Sequence, residues 1–273
     1  MNTPSQKPGF TSALPGDSDS LRARREDQAA VHRYRTADSL DAEIASLADD
    51  WLSERELREL STRSDAARRG DWLRGRLLGK SLIAERSGDQ LQDIEILSID
   101  ADGKVNRPRV FAGGVEQPWS LSISHTERGV LAALSTEPGV TLGVDVVPCQ
   151  PLSAGFGRLW FTAAEQYWIE RTGSPGIACF IWGAKESLYK ALNRGESFAP
   201  LQFEVLPDGT CRYRNQLLTN VRLRSWHLDG HVAVLASAYS ARQSIAEPIL
   251  SAVVTQTSVI PHNPLFVYAE KTS

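Results

Sequence analysis

The chain has 273 residues, 41% of them apolar, and a formal net charge of −3, which suits a globular protein of one large domain or two modest ones. So even a balance excludes a bulk charge built for nucleic acid, although local basic clusters could still meet a phosphorylated small molecule. Three cysteines, Cys149, Cys179 and Cys211, form no C-x-x-C pair, which argues against a disulfide framework or zinc knuckle and for a reduced, cytoplasmic setting.

Residues 1–35 combine Pro, Gly, Ser and Asp with the charged run "RARRED" and show no sustained apolar periodicity, so a mobile arm is predicted. Its opening residues lack the charged leader and apolar core of a secretory signal. From "SLDAEIASLADDWLSERELRELSTRS" onward the spacing is helical, with Ser39 and Ser53 as N-caps and Glu56 completing a capping box. A basic helix follows in "DAARRGDWLRGRLLGKSLIAERSG", where Trp72, Leu73, Leu77, Leu78 and Leu82 pack and Arg69, Arg76 and Lys80 take more polar positions. The runs "IEILSID", "RPRVFAGG", "SLSISH", "GVLAALS" and "VTLGVDVV", separated by turn signals, read as an antiparallel meander.

After Pro148 a Pro/Gly/Ser-rich loop leads into "FTAAEQYWIERTG", a helix capped by Thr162 with Glu165 three residues on. The stretch "WGAKESLYKA" is a second helix: Trp182, Glu186 and Lys190 share one stripe, and Ile181, Ala184, Leu188 and Leu192 share an apolar one. Strands joined by hairpins follow in "LQFEVLPDGTCRYR", "VRLRSWHLDG" and "HVAVLASAY". The run "PILSAVVTQTSVI" is too short and too polar to span a bilayer. The expected organisation is an arm at 1–35, subdomains at 36–147 and 148–242, and a tail at 243–273. Both subdomains pair helices with a small antiparallel sheet, an α+β class, without a convincing residue-level repeat.

Several residues could carry chemistry. Asp145 interrupts the apolar run "LGVDVV", where a buried anion needs a cation, a metal or donors, or else caps the strand end. His125 ends "SISH" beside Ser124 and could donate to a phosphate, or be a satisfied surface or core group. Glu186 and Lys190 are in the favourable order for a surface ion pair worth about 0.2–0.5 kcal/mol, unless they line an active site. His227 and His231 flank a turn signal and read as surface residues. Walker, G-x-S-x-G and G-x-G-x-x-G motifs are absent, which argues against a P-loop nucleotidase, a serine hydrolase or a dinucleotide oxidoreductase.

In combination, "SISHT", "LGVD" and "FIWGAKESLYKA" resemble the 4'-phosphopantetheinyl transferases, specifically the larger, pseudo-dimeric surfactin-type branch, from about residue 50 to 240. The resemblance implies two similar α+β halves with coenzyme A between them. It also implies magnesium-dependent transfer of the 4'-phosphopantetheine arm to a serine of an apo acyl or peptidyl carrier protein of fatty-acid, polyketide or nonribosomal-peptide synthesis. Adenosine 3',5'-bisphosphate leaves. Carried over, Asp145 and Glu186 bind the metal, and Glu186 also helps deprotonate the serine. Lys190 contacts phosphate, and Ser124 and His125 hold the coenzyme's phosphates. Arg107 in "NRPRV", Lys104, Arg69, Arg76, Lys80 and Lys185 are further phosphate-binding candidates, and Trp182 is a packing residue. A monomer with no membrane or nucleic-acid partner is expected.

Many relatives read Gly-Val-Asp-x-Glu, which would place a second carboxylate on the same strand face. Here that position is Val147. The alternative reading is therefore a relative that binds coenzyme A or carrier protein without transferring anything.

Overall fold

The computed structural model describes residues 30–99, 105–151, 153–192, 195–228 and 230–240. The expected arm as far as residue 29, Lys104 and the expected tail lie outside them. The first set of elements is β1 (Val31–Thr36), α1 (Ala37–Ser46), α2 (Glu54–Ser61), α3 (Ala66–Ser87), β2 (Ile94–Ile99), β3 (Val105–Ala112), β4 (Val115–Gln117), β5 (Ser120–Thr126) and β6 (Gly129–Ser135). The second is β7 (Val140–Pro148), α4 (Ala154–Trp160), α5 (Ala163–Thr172), α6 (Pro175–Leu192), β8 (Phe203–Val205), β9 (Cys211–Tyr213), β10 (Gln216–Leu217), β11 (Val221–Leu228) and β12 (His231–Tyr239).

The same order of elements thus occurs twice. All sheets are small and antiparallel, with strand orders β1-β6-β5 and β2-β3-β4 in the first set and β7-β12-β11 and β8-β9-β10 in the second. Two particulars differ from the sequence reading. Strand β1 falls mostly within the expected arm, where Tyr34 pairs with Leu131 of β6. Strand β7, expected to close the first meander, pairs along its whole length with β12 instead. Its alternate residues are buried on both faces, a burial that only a partner on each side can supply.

The helix starts follow local chemistry. Ser53 and Glu56 form the predicted capping box of α2, and Thr162 and Glu165 that of α5. Helix α1 is capped by Thr36, not Ser39: the chain leaves β1 there in extended conformation, and the Thr36 hydroxyl accepts from the Ser39 amide.

Three apolar clusters hold the elements. Leu77, Leu78 and Ile83 of α3 pack with Ile96 and Leu121, and Ile181, Ala184 and Leu188 of α6 pack with Phe203, Val205 and Val234. The third joins the two larger sheets: Leu131 and Ala133 of β6 meet Leu142, Val144 and Val146 of β7 and Ala233 and Leu235 of β12. Even-numbered residues of β7 therefore face the other sheet, and odd-numbered ones face α6, as the strand period requires. No helix among the described residues is long and apolar enough to cross a membrane.

Candidate active site

Strands β5 and β7 lie side by side without forming a backbone ladder. Three alternate serines of β5 replace it: the hydroxyls of Ser120, Ser122 and Ser124 accept the amides of Leu142, Val144 and Val146 at 2.8, 3.0 and 3.3 Å. All three serines are buried, so each bond satisfies an amide that water cannot reach. At the last rung Ser124 also donates to Asp145 Oδ1 at 2.7 Å. The seam between the sheets thereby ends on the carboxylate that sequence reasoning singled out.

Helix α6 lies on the odd face of β7. A Cβ on Gly143 would fall 2.0 Å from Ser187 O and 2.6 Å from Ala191 N, so only glycine allows this approach. Ser187 donates to Val234 O at 3.1 Å and Thr141 to Ala191 O at 2.8 Å, fixing the helix along the strands. Arg107 reaches over from β3 and donates to Lys190 O at 3.0 Å and Ala191 O at 2.7 Å, so it closes the carbonyl end of α6. Burial lowers the Arg107 pKa, and its Nε has no hydrogen-bond partner among the described residues.

This packing brings Lys190 to Asp145. The Lys190 ammonium donates to Asp145 Oδ1 at 2.9 Å and Val144 O at 3.0 Å, and lies 3.7 Å from Glu186 Oε2. Asp145 is 7% exposed, while Glu186 and Lys190 are about a quarter open. Burial raises the Glu186 pKa; Lys190 opposes that shift and Asp145 adds to it.

His125 joins the group from the first set of elements. A Cβ on Gly75 of α3 would come within 2.6 Å of His125 Nε2, so glycine again permits the contact. Lost hydration against α3 lowers the His125 pKa, Asp71 opposes this, and Lys190 and Arg76 reinforce it. The residue as a whole is exposed. Ser124, His125, Arg107, Asp145, Glu186 and Lys190 therefore converge where α3 and β5 meet β7 and α6.

Other expected phosphate ligands sit elsewhere. Lys80 is fully buried, 2.7 Å from Glu56 Oε2, and donates to Trp51 O and Leu91 O, which occupies its three protons. Lys185 is its counterpart, 2.6 Å from Glu165 Oε2 and donating to Trp160 O. Both lysines are buried structural partners of capping-box glutamates and are closed to a ligand in this structure. Arg76 is buried with them, over the Trp72 ring and 2.9 Å from Glu59 Oε2. Only Arg69 of the basic-helix candidates is exposed.

The two lysine pairs expose a short repeat that the sequence reading missed, "WLSERE" at Trp51–Glu56 and "WFTAAE" at Trp160–Glu165. In each, the Ser/Thr and Glu cap a helix, the Trp carbonyl receives the lysine, and the Glu accepts a strand amide, Ile96 N at 3.1 Å or Val205 N at 2.8 Å. Trp182 packs edge-to-face against Phe156, Trp160 and Phe198, the packing role expected of it. His231, expected on the surface, is 4% exposed because β12 is the middle strand of its sheet; His227, on edge strand β11, is exposed.

The donor set suits a hard divalent cation. Carboxylate oxygens of Asp145 and Glu186 lie 2.9 and 3.7 Å from one ammonium, the kind of hard oxygen ligands such a cation takes. Val147 packs toward Gly183 and supplies no donor, and no group of three or more His, Cys, Asp and Glu among the described residues could hold a metal alone.

No curated protein matches the chain. Residues 141–241, which run from β7 past β12 and include Asp145, Glu186 and Lys190, match the family model described as the 4'-phosphopantetheinyl transferase superfamily.

Proposed function

We propose that the protein transfers the 4'-phosphopantetheine arm of coenzyme A to a serine of an apo acyl or peptidyl carrier protein. The superfamily match over residues 141–241 supports a transferase. One observation carries the finer reading: Asp145 of β7 and Glu186 of α6 flank the Lys190 ammonium within that stretch. The duplicated order of elements supports a pseudo-dimeric, surfactin-type architecture with the coenzyme between its halves.

In this reading Asp145 and Glu186 hold Mg2+, which would stabilise charge building up on the leaving phosphate. Lys190 binds the phosphoryl group being transferred and His125 anchors the coenzyme's phosphates, whereas Ser124, expected beside His125 on phosphate, is buried with its one hydroxyl proton on Asp145 and acts by holding that carboxylate. Arg69 is exposed and free of the buried ion pairs that occupy Arg76 and Lys80, whereas Arg107 acts by holding the end of α6. The carrier's serine oxygen attacks phosphorus, and the bond to adenosine 3',5'-bisphosphate breaks with its electron pair leaving on the nucleotide. Glu186 receives the serine proton, directly or through one water.

Val147, apolar and packed beneath α6, favours one other reading: a relative that binds coenzyme A or carrier without transfer. Incubating the protein with several apo carriers, coenzyme A and Mg2+ and weighing the carriers separates the two. A phosphopantetheine mass gain that disappears in Asp145→Ala and Glu186→Ala is expected; no gain on any carrier rejects transfer.

A further inference from the structure

Lys190 raises a question that its proposed role on phosphate leaves open. Its ammonium has three protons, and these face Asp145 Oδ1, Val144 O and Glu186 Oε2. The chain thus places its own positive charge against the two carboxylates that would hold a divalent cation. Backbone contacts keep it there: Gly143 lets the helix sit 2.0 Å from where a Cβ would be, and Arg107 and Thr141 tie down the carbonyl at Ala191.

We infer that Lys190 is an internal counter-cation which keeps the Asp145–Glu186 pair closed to metal until the phosphates of the coenzyme draw it away. The inference rests on the proposed function, because it takes these two carboxylates as the metal ligands. A cation entering beside the ammonium meets like charge at contact distance and two carboxylates already neutralised in part. An arriving pyrophosphate offers the ammonium stronger acceptors and supplies further oxygens for the cation. Metal and coenzyme therefore bind with positive coupling, and by linkage each tightens the other equally.

The test measures Mn2+ binding to the full-length protein by the loss of its free-ion paramagnetic resonance signal, so no turnover is needed. Lys190→Met, which keeps the length and removes the charge, should bind Mn2+ about tenfold or more tightly without coenzyme A. Lys190→Arg keeps the charge and should stay near wild type. Coenzyme A should tighten Mn2+ binding more in wild type than in Lys190→Met. Equal or weaker Mn2+ binding by Lys190→Met, with its circular dichroism and melting curve native, overturns the inference, as does equal tightening by coenzyme A in both proteins. Adding Asp145→Ala to Lys190→Met separates the two levels. If Mn2+ binding survives unchanged, the metal assignment under the proposed function fails; if it is lost while Lys190→Met gave no gain, only the counter-cation role fails.

Discussion

Lys185 Nζ stands 2.6 Å from Glu165 Oε2 with both side chains fully excluded from solvent. Lys80 and Glu56 repeat the arrangement at 2.7 Å in the other set of elements. Burial lowers the pKa of both lysines and raises that of Glu165, with the ion-pair partner of each working against it. The pairs therefore survive through geometry and added hydrogen bonds rather than through attraction alone.

Breaking one partner should be costly. Lys185→Met leaves Glu165 as an uncompensated buried charge, and urea unfolding should show a loss of about 3–5 kcal/mol. Replacing both residues, in Glu165→Leu with Lys185→Met, should not restore stability. The amides of Thr162 and Val205 lose their acceptor, at about 1–3 kcal/mol each. A double variant as stable as wild type would contradict the role assigned to those amides.

Gly143 should tolerate no side chain. Gly143→Ala pushes α6 off β7 through contacts with Ser187 O and Ala191 N, and overpacking of this kind costs about 1–3 kcal/mol or more. Lys190 and Glu186 move with the helix, so transfer should fall by at least about tenfold even where the protein remains folded. Gly183→Ala meets the methyl groups of Val147 and Val234 at 3.1 Å and Asp145 Oδ2 at 3.8 Å, an ordinary contact distance, and should be milder. Comparing the melting temperatures and transfer rates of the two variants checks the order.

The serine seam predicts a split between stability and activity. Ser120→Ala, Ser122→Ala and Ser124→Ala each strand a buried amide, at about 1–3 kcal/mol in chemical unfolding. Ser124→Ala alone also removes a donor from Asp145, so it alone should depress transfer beyond what its loss of stability explains. Equal transfer rates in all three variants would show that the Ser124–Asp145 bond does not matter to the reaction.

Cysteine reactivity should follow exposure. Cys149 is exposed and should take up iodoacetamide in the native protein, whereas buried Cys179 and Cys211 should wait for unfolding. Burial pushes the Cys211 thiol up to about 12, with Asp208 and Glu165 adding repulsion. A thiol raised above its ordinary value favours the folded state fully below that value, and the contribution fades as pH rises toward 12. Alkaline unfolding of Cys211→Val should therefore be less steep above pH 9 than that of wild type, as circular dichroism at fixed urea can measure.

Much of the molecule was legible along the chain. The capping boxes at Ser53 and Thr162 and the apolar stripe of α6 are local patterns, set by residues three or four apart. Asp145, Glu186 and Lys190 each read singly as an ordinary strand-end or surface charge; only "SISHT", "LGVD" and "FIWGAKESLYKA" in combination, through the family they resemble, marked them out. The short repeat at Trp51 and Trp160 was visible too, but only two of its positions are identical in kind and function, the Trp and the Glu, with Ser and Thr equivalent through a hydroxyl.

Long-range partnership was not legible. The sequence by itself determined which segments become strands and helices, where they are capped, and which side chains could bear charge in an apolar setting. Tertiary structure alone decided that β7 leaves its neighbours for β12, and that the polar side chains of Lys80, Lys185 and Arg76 turn inward to glutamates. It also brought Lys190, already one helical turn from Glu186, to Asp145, 45 residues away in the chain. The physical reason is common to all three: a buried charge or an open strand edge accepts whichever partner the folded chain delivers, and that partner lies tens of residues away.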